Sequence, residues 1–596
     1  MNNNTATRLS ELRQLMNDNG VDYYYVPSAD EHKNEYLPAY TKRRAWISNF
    51  TGTAGDVLIG KNTAYLWTDA RYFLQAEQQL DSSLYELMKM TQGETPSIDQ
   101  WLASQGDNIV CGVDPNVISI AQAHKIQNTL SHHGGKLLSI DKNLIDAIWT
   151  DRPASPHKPL RIQDVKYAGQ SAHDKITQLR NMMKDAGANA HIITMLDAIA
   201  WLFNIRGNDI SYNPLVISYA VVTHDQALLF VDPEKITAED HRYLKEQHIE
   251  VRPYGDFQSV LNHVKGKAWV DPSTASWWVQ QQLNQAEILV QHSPITLLKA
   301  IKNNTEQQGM RIAHQIDAVA MIKFLYWLEH HWQEGITEKS AQEKLDALRR
   351  EEPRCLDLSF STISGFGPNG AIVHYFVTEK TSIPIDDSSL YLIDSGGQYY
   401  YGTTDITRTI HLGTPTEAQK RHYTLVLKGH LAIRHCVFPD GVCGEHINAL
   451  AHVPLWRDAL DYGHATGHGV GCYLCVHEGP QGITFRHTGV PLQPGMVVSN
   501  EPGVYFKSQY GIRIENLCLI TQAYTQLDSQ THHGPFYKFE DLTLVPYSRK
   551  LIDTNNLTAE EIAWVNEYHQ HVYETIVDQL PSDELREWLS AATEPL

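Results

Sequence analysis

The first half of the chain contains an internal repeat, which constrains the fold more than any other feature of the sequence. Residues 12–20 are echoed 167 positions later by residues 179–187. In each copy apolar residues recur at helical spacing, a glycine ends the pattern and a strand-like run follows. Residues 46–49 are then matched by residues 201–204, at an offset of 155. Three matches in the same order predict two related α/β domains.

Composition places the boundaries between domains. Residues 153–159 carry three prolines, which suit neither a helix nor a central strand. A second boundary lies near Pro294, because Thr305 and Gln308 match a capping box that opens a long amphipathic helix. We therefore predict domains at residues 1–155, 156–298 and 299–596.

A further helix is predicted near the C-terminus. Thr558 and Glu561 form a capping box, and the helix should run over residues 559–576. We expect this helix to pack outside the third domain or at a subunit contact.

Length and charge restrict the class of protein. A chain of 596 residues has room for three or four domains. Its net charge of −20 argues against nucleic acid or an anionic membrane as a partner, because both would repel it. There is no apolar run of membrane-spanning length and no hydrophobic segment typical of a signal peptide near the start. Seven cysteines are few for this length, and we expect a reducing, cytoplasmic location.

Four carboxylates and one imidazole form the main chemical pattern of the third domain. They are Asp394, Asp405, His468, Glu501 and Glu515. Oxygen donors with a single nitrogen suit divalent ions such as Mn²⁺, Co²⁺ or Zn²⁺. Five ligands are too many for one tetrahedral ion and are suited to two ions that share carboxylates. Because a metal pair can activate water and polarise a carbonyl, the pattern favours hydrolysis.

The local sequence around these residues indicates how they could meet. A turn near residues 399–402 would bring Asp394 and Asp405 to one end of a sheet. Strict alternation over residues 512–520 predicts one strand with Arg513 and Glu515 on the same face. An ionised glutamate there needs a cation or a basic partner, so the alternatives are a metal ion or a salt bridge to Arg513.

These motifs resemble the catalytic domain of the pita-bread metallopeptidases, in the aminopeptidase P and prolidase branch. The repeated first half likewise resembles the creatinase-like domains that precede it in the long, three-domain cytosolic Xaa-Pro aminopeptidases. The family usually has Gly-His-Gly-Thr-Gly-His where this chain has Ala465, and we expect the loop to tolerate the change. The matching stretches are residues 394–405, 463–468, 476–480, 500–503 and 513–516.

The resemblance implies a fold and a metal centre. The fold would be α/β (α+β), with two creatinase-like domains followed by a catalytic domain of two α/β halves around an antiparallel sheet. Asp394 and Asp405 would hold one ion. His468 and Glu501 would hold the other with Asp405, and Glu515 would bridge both. Mn²⁺ is the expected metal, with Zn²⁺ or Co²⁺ as alternatives.

The resemblance also implies roles around the metals. A hydroxide that bridges the two ions would attack the peptide carbonyl. His374, His464 and His477 match catalytic histidines that also contact substrate, and Arg513 and Tyr505 match residues that orient ligands and substrate. The implied substrates are peptides with proline at the second position, and the implied assembly is a homodimer.

Three other functions remain open from the sequence. A prolidase that cleaves only dipeptides would have the same metal site, although the chain length and the repeated domains favour the aminopeptidase. Methionine aminopeptidases share the ligands but are usually single domains. A non-catalytic peptide-binding relative would typically have lost ligands, whereas this chain keeps all five.

Overall fold

The structure is a computed structural model that describes residues 3–90, 95–524 and 534–596. These residues form two compact units. The first unit runs to Asp164 and continues over Gln170–Thr296, and the second comprises Val165–Gly169 and Leu297–Leu596. Both predicted N-terminal domains therefore lie in one unit.

The first copy of the repeat forms a six-stranded sheet. The strand order is β4-β3-β2-β1-β5-β6, in which β1 pairs antiparallel with β2 and parallel with β5. Its strands are β1 (Tyr23–Val26), β2 (Asp56–Gly60), β3 (Ala64–Thr68), β4 (Tyr85–Lys89), β5 (Val110–Val113) and β6 (Lys136–Ser139). Its helices are α1 (Asn3–Asp18), α2 (Arg43–Ser48), α3 (Phe73–Gln79), α4 (Ile98–Ala103), α5 (Ile120–Ser131) and α6 (Leu144–Ile148).

The second copy repeats this topology. Its main sheet has the order β12-β11-β10-β8-β13-β14, and the central β8 again pairs antiparallel on one side and parallel on the other. The strands are β7 (Arg161–Ile162), β8 (Ala190–Ile193), β9 (Ile205–Arg206), β10 (Ser218–Thr223), β11 (Ala227–Val231), β12 (Glu250–Pro253), β13 (Gly266–Val270) and β14 (Ala286–Val290). The helices are α7 (Val165–Ala168), α8 (Ala172–Asp185), α9 (Leu196–Phe203), α10 (Ala238–Glu246), α11 (Phe257–Leu261), α12 (Trp277–Gln282) and α13 (Pro294–Ala300). Of these, α7 belongs to the second compact unit and α13 crosses the end of the first.

The matched sequence segments occupy equivalent places in the two copies. Helices α1 and α8 each bury the apolar stripe that the periodicity predicts. Helices α2 and α9 each end at an asparagine in the left-handed conformation, Asn49 with φ 63° and Asn204 with φ 52°. Asparagine tolerates this conformation better than most residues. The prediction of two related α/β folds is confirmed.

The second unit contains antiparallel sheets. A three-stranded sheet has the order β16-β17-β20, and a four-stranded sheet has the order β21-β28-β27-β24. The strands are β15 (Cys355–Leu358), β16 (Ile363–Phe366), β17 (Leu390–Ser395), β18 (Gly397–Tyr399), β19 (Gly402–Thr403), β20 (Ile406–His411), β21 (Phe438–Pro439), β22 (Gly467–His468), β23 (Gly482–Ile483), β24 (Val497–Asn500), β25 (Gly503–Phe506), β26 (Tyr510–Arg513), β27 (Asn516–Gln522) and β28 (Phe536–Asp541). The helices are α14 (Asn304–His331), α15 (Glu338–Arg350), α16 (Glu417–Arg434), α17 (Gly444–Ile447), α18 (Ala449–Trp456), α19 (Ala559–Ile576) and α20 (Asp583–Ala592).

Two helix predictions need correction. Helix α14 begins two residues early, because Asn303 and Glu306 form the capping box instead of Thr305 and Gln308. Helix α19 has the predicted bounds and cap, but it does not pack outside the domain. Its buried face joins the same apolar cluster as residues of β17 and β20, so it belongs to the core.

Within the described ranges, no helix has both the length and the apolar composition that crossing a membrane requires.

Candidate metal centre

Asp394 and Asp405 are brought together by the hairpin that links β17 to β20. Strands β18 and β19 pair at Tyr399 and Gly402, where the sequence predicts the turn. Asp394 lies on β17 opposite Thr407, and Asp405 immediately precedes β20. Both carboxylates therefore lie at the same end of the β16-β17-β20 sheet, as predicted.

His468 points one ring nitrogen at the other acidic residues. Its Nδ1 donates to Gly469 O at 2.9 Å, which leaves Nε2 with a free lone pair. That Nε2 lies 3.5 Å from Asp405 Oδ2 and 3.3 Å from Glu501 Oε1. Donor atoms of Asp405, His468 and Glu515 all lie within 4.8 Å of one another. This is the orientation of a histidine that binds a metal.

The glycines on either side of His468 allow close backbone packing. A side chain at Gly467 would overlap Ser499 O, and one at Gly469 would overlap Glu478 O. These glycines let the strand that carries His468 pack closely against β24 and the segment after His477.

Glu515 does not lie in a continuous strand. Residues 514 and 515 separate β26 from β27, so the predicted single strand over residues 512–520 is wrong. Glu515 Oε2 accepts a hydrogen bond from Thr407 Oγ1 at 2.8 Å. The salt bridge of Arg513 goes to Asp394 Oδ2 at 2.7 Å, not to Glu515.

Arg513 connects the acidic residues to the predicted substrate-orienting groups. Its NH1 donates to Tyr505 OH at 2.8 Å, and that hydroxyl lies 2.8 Å from His464 Nε2. Its NH2 also donates to Val373 O at 3.3 Å, next to His374. Burial raises the pKa of Tyr505 to about 12, so its hydroxyl keeps its proton near neutral pH.

His477 is held beside His468. The two imidazole rings meet edge to face with centroids 4.4 Å apart. The next residue, Glu478, is buried between two ammonium groups, at 2.9 Å from Lys299 Nζ and 2.8 Å from Lys302 Nζ. The Glu478 N–H donates to Gly469 O, the acceptor that also fixes His468. Nine of the ten site residues predicted from the sequence are thus linked by contacts, and His374 directly follows Val373, whose carbonyl accepts from Arg513.

Two hydroxyl residues at the site were not singled out from the sequence. Thr407 donates to Glu515 and accepts from Arg513 Nε at 3.1 Å. Ser499 donates to Glu501 Oε1 at 3.1 Å and accepts the His468 N–H. Strand alternation from Asp405 would have identified Thr407, which lies two residues on.

The electrostatics of the cluster fit bound cations. Burial and repulsion from Asp394 and Glu501 raise the pKa of Asp405 well above its usual value. Burial and the neighbouring carboxylates act in the same direction on the pKa of Glu515. Asp394 Oδ1 is buried without a hydrogen-bond donor. A buried acceptor that lacks a donor, among carboxylates that repel one another, is the environment that divalent cations stabilise.

Ala465 does not disturb this arrangement. The residue is exposed and is not among those with a positive φ, so its methyl group requires no left-handed backbone.

Comparison with known families finds four matches along the chain. Residues 8–148 and 151–306 each match a creatinase/prolidase N-terminal domain. Residues 308–522 match metallopeptidase family M24, and residues 535–596 match the C-terminal region of peptidase M24.

Several known proteins are similar to this chain over nearly its whole length. A probable Xaa-Pro aminopeptidase P from Sordaria macrospora is 43% identical over 614 residues, with 99% of each chain covered. Aminopeptidase P1 from Lotus japonicus is 40% identical over 662 residues, again with 99% of each chain covered. The crystal structure of X-prolyl aminopeptidase from Caenorhabditis elegans, described as a cytosolic enzyme with a di-nuclear active site, superposes with a TM-score of 0.95 at 34% identity and covers 99% of this chain and 100% of its own. The chain therefore belongs to metallopeptidase family M24, among the Xaa-Pro aminopeptidases P.

Proposed function

We propose that the chain is a two-metal aminopeptidase that removes the N-terminal residue from peptides with proline at the second position. The observation that carries the proposal is a cluster of four carboxylates, of which Asp394, Asp405 and Glu515 are buried and Glu501 is partly buried. His468 Nε2 faces this cluster through Asp405 and Glu501, in a chain similar over its whole length to enzymes named for this activity. Asp394 and Asp405 would hold one ion, Asp405 with His468 and Glu501 the other, and Glu515 would bridge both.

Two ions bound there would activate water and polarise the peptide carbonyl. The protein supplies the positions of the ligands. The Arg513 guanidinium fixes Asp394, the Ser499 hydroxyl orients Glu501, and the Gly469 carbonyl sets the tautomer of His468. Preorganised ligands spare the reorganisation that a flexible site would need at each turnover.

The remaining assigned side chains act on the substrate. We assign His374 and His477 to the developing oxyanion and to the proton that the leaving amine requires. His464 and Tyr505, which are hydrogen-bonded to each other, would contact the proline side of the peptide. An Xaa-Pro bond has no N–H, so the site cannot depend on a hydrogen bond from that position and must recognise the pyrrolidine ring by shape.

Several further properties belong to the same proposal. We propose three domains at residues 1–155, 156–298 and 299–596, with support from the repeated sheets. Mn²⁺ is the proposed metal because oxygen donors predominate, and Zn²⁺ or Co²⁺ fit the same ligands less well.

A homodimer is proposed from the family resemblance. A cytoplasmic location is supported by the description of the C. elegans enzyme as cytosolic.

A peptide panel tests the activity. Purified protein with a measured content of two Mn²⁺ per chain should release Xaa from Xaa-Pro-Yaa tripeptides and leave matched Xaa-Ala-Yaa peptides intact. Cleavage of Xaa-Pro dipeptides alone would identify a prolidase. A metal-loaded protein that cleaves neither class would contradict the proposal.

A further inference from the structure

The backbone at Glu515 is held by β20, the strand that follows Asp405. Because Glu515 lies in the gap between β26 and β27, neither strand supplies ladder hydrogen bonds for it. Its N–H donates to Thr407 O at 3.2 Å, and its carbonyl accepts from Arg408 NH1 at 2.7 Å. The Arg408 guanidinium therefore donates the hydrogen bond to the Glu515 carbonyl that a neighbouring strand would donate in a continuous ladder.

The surroundings of Arg408 are unusual for a buried arginine. The residue is 1% exposed. No carboxylate of the described residues forms an ion pair with it, whereas Arg349 pairs with Asp317 and Arg513 with Asp394. Its donors are distributed over six neutral oxygens: Thr407 O at 2.9 Å, Glu515 O at 2.7 Å, Asn516 Oδ1 at 2.8 Å, Val545 O at 2.6 Å, Pro546 O at 3.1 Å and Tyr568 OH at 3.0 Å.

The geometry of these bonds indicates what Arg408 does. A guanidinium presents five donors in a rigid plane, so several acceptors bound to it are fixed relative to one another. Burying a cation without an anion is costly, and that cost is offset here by carbonyl, amide and hydroxyl groups and by the ring of Tyr547, whose centroid lies 5.2 Å from Arg408 Cζ. An arginine in this setting ties together three chain segments that meet beside the metal ligands.

One of these segments leads to the C-terminal helix α19. Tyr568 on α19 contacts Arg408 and lies 2.8 Å from Val545 O. The neighbouring His569 accepts the Tyr547 N–H at 3.1 Å. The Tyr547 hydroxyl lies 3.0 Å from His430 Nε2.

His430 completes this second connection to the ligands. Its Nδ1 lies 3.0 Å from Asn500 O, and Asn500 directly precedes Glu501. Helix α19 is therefore connected both to Glu515, through Arg408, and to the residue before Glu501, through Tyr547 and His430.

We propose that Arg408 is a positioning residue for the metal ligand Glu515, and that helix α19, through Tyr568, belongs to the frame that holds the ligands. The proposal rests on the proposed function in so far as Glu515 is taken as a ligand. The proposal gives the C-terminal region a role in metal affinity. This region is far along the chain from the hairpin of Asp394 and Asp405.

The test compares three variants of the full-length protein by metal titration in the absence of peptide. Arg408→Lys keeps the charge and loses the planar set of donors, so its affinity for Mn²⁺ should fall by about 10–100-fold, as expected for partners of metal ligands. Its complex with Co²⁺ should show a changed visible absorption spectrum, because the ligand geometry relaxes. Tyr568→Phe removes one of the six acceptors of Arg408, together with the bonds of that hydroxyl to Thr543 and Val545, and should weaken Mn²⁺ binding in the same direction by a smaller factor.

Arg349→Lys is the matched control. Arg349 is also buried in this unit, but it bonds to Asp317 and to none of the metal-binding residues. This variant should melt at a lower temperature and keep the wild-type Mn²⁺ affinity and Co²⁺ spectrum.

Two outcomes would overturn the assignment. One is wild-type affinity and spectrum in Arg408→Lys, or, if that variant does not fold, wild-type affinity in Tyr568→Phe. The other is an equal loss of affinity in Arg349→Lys, which would indicate a general effect of destabilisation. A wild-type protein that binds two ions and cleaves no Xaa-Pro peptide would contradict only the proposed function.

Discussion

Buried carboxylates have opposite surroundings in the N-terminal unit and at the metal centre of the second unit, called the catalytic unit below. In the first unit, Asp209 is paired with Lys235 Nζ at 2.7 Å, and both side chains are almost fully buried. Asp30 accepts hydrogen bonds from the N–H groups of His32 and Asn34. Protein donors satisfy each of these two acids, so each has a structural role that requires no bound cation.

At the metal centre of the catalytic unit, four acids lie near one another. Asp394, Asp405, Glu501 and Glu515 share one guanidinium, that of Arg513, and neighbouring imidazoles. Repulsion among them acts with burial to raise the pKa values of Asp405 and Glu515. Burial of a carboxylate is therefore no indicator of function by itself. The indicator is a group of buried carboxylates with too few donors.

The largest difference should appear between two variants. One removes an acid of the metal centre, and the other neutralises a paired acid of the N-terminal unit. Glu515→Ala should lose bound metal, and kcat should fall by at least about 10³-fold, because a metal ion contributes several kcal/mol to the transition state. Asp209→Asn should reduce stability by about 3–5 kcal/mol, since it leaves Lys235 buried without its anion. Its metal content and kcat should match those of the wild type. Metal loss in Asp209→Asn, or full occupancy in Glu515→Ala, would contradict the comparison.

The next effect separates metal binding from catalysis within the catalytic unit. His374→Ala should retain both ions, because His374 is not among the proposed ligands, while kcat falls by about 10²-fold or more. Metal analysis and steady-state kinetics on the same preparation measure both. Loss of metal in this variant would make His374 a ligand.

A pH series on the metal-free protein should show the effect of the raised pKa values of the acids at the metal centre. The folded-state pKa values of Asp405, Glu501 and Glu515 are raised, so the folded chain binds more protons than the unfolded chain above the ordinary carboxyl pKa. Their contribution to stability is present at low pH and is lost as the pH rises through the folded values. Bound metal requires ionised ligands, so the increase in Tm on adding Mn²⁺ should grow with pH. An increase that shrinks with pH would contradict this reasoning.

The smallest effect concerns the hydroxyl that supports Glu501. Ser499→Ala removes the donor to Glu501 Oε1 and the acceptor of the His468 N–H. Metal affinity should fall by about tenfold, at the low end for partners of metal ligands. Isothermal titration with Mn²⁺ measures this, and Ser364→Ala, a buried serine of the same unit that bonds to Tyr391 and Glu338, is the matched control.

Much of the fold and most of the site could be predicted because the signals are local. The repeat gives two sheets of one topology, and the turn near residues 399–402 gives the hairpin that joins Asp394 to Asp405. Thr558 and Glu561 were sufficient to place α19, because a capping box is a property of four consecutive residues.

The errors arise where distant segments compete with local patterns. Alternation over residues 512–520 predicts one strand, but Arg408 and Thr407 hold Glu515 from outside and break the ladder. The salt bridge of Arg513 goes to Asp394, more than 100 residues away in sequence. Burial of α19 likewise depends on an apolar face that fits a core built from residues near 390 and 406. None of these contacts leaves a periodic trace in the sequence.

The trio of Lys299, Glu478 and Lys302 restricts how peptides reach the metals. Moving the segment that carries His477 would pull the Glu478 carboxylate away from two ammonium groups, and all three charges are shielded from water. Ion pairs in such surroundings are expensive to separate. We therefore expect that segment to stay in place when peptides bind, and we expect peptides to enter past the side of the site where His464 and Tyr505 lie.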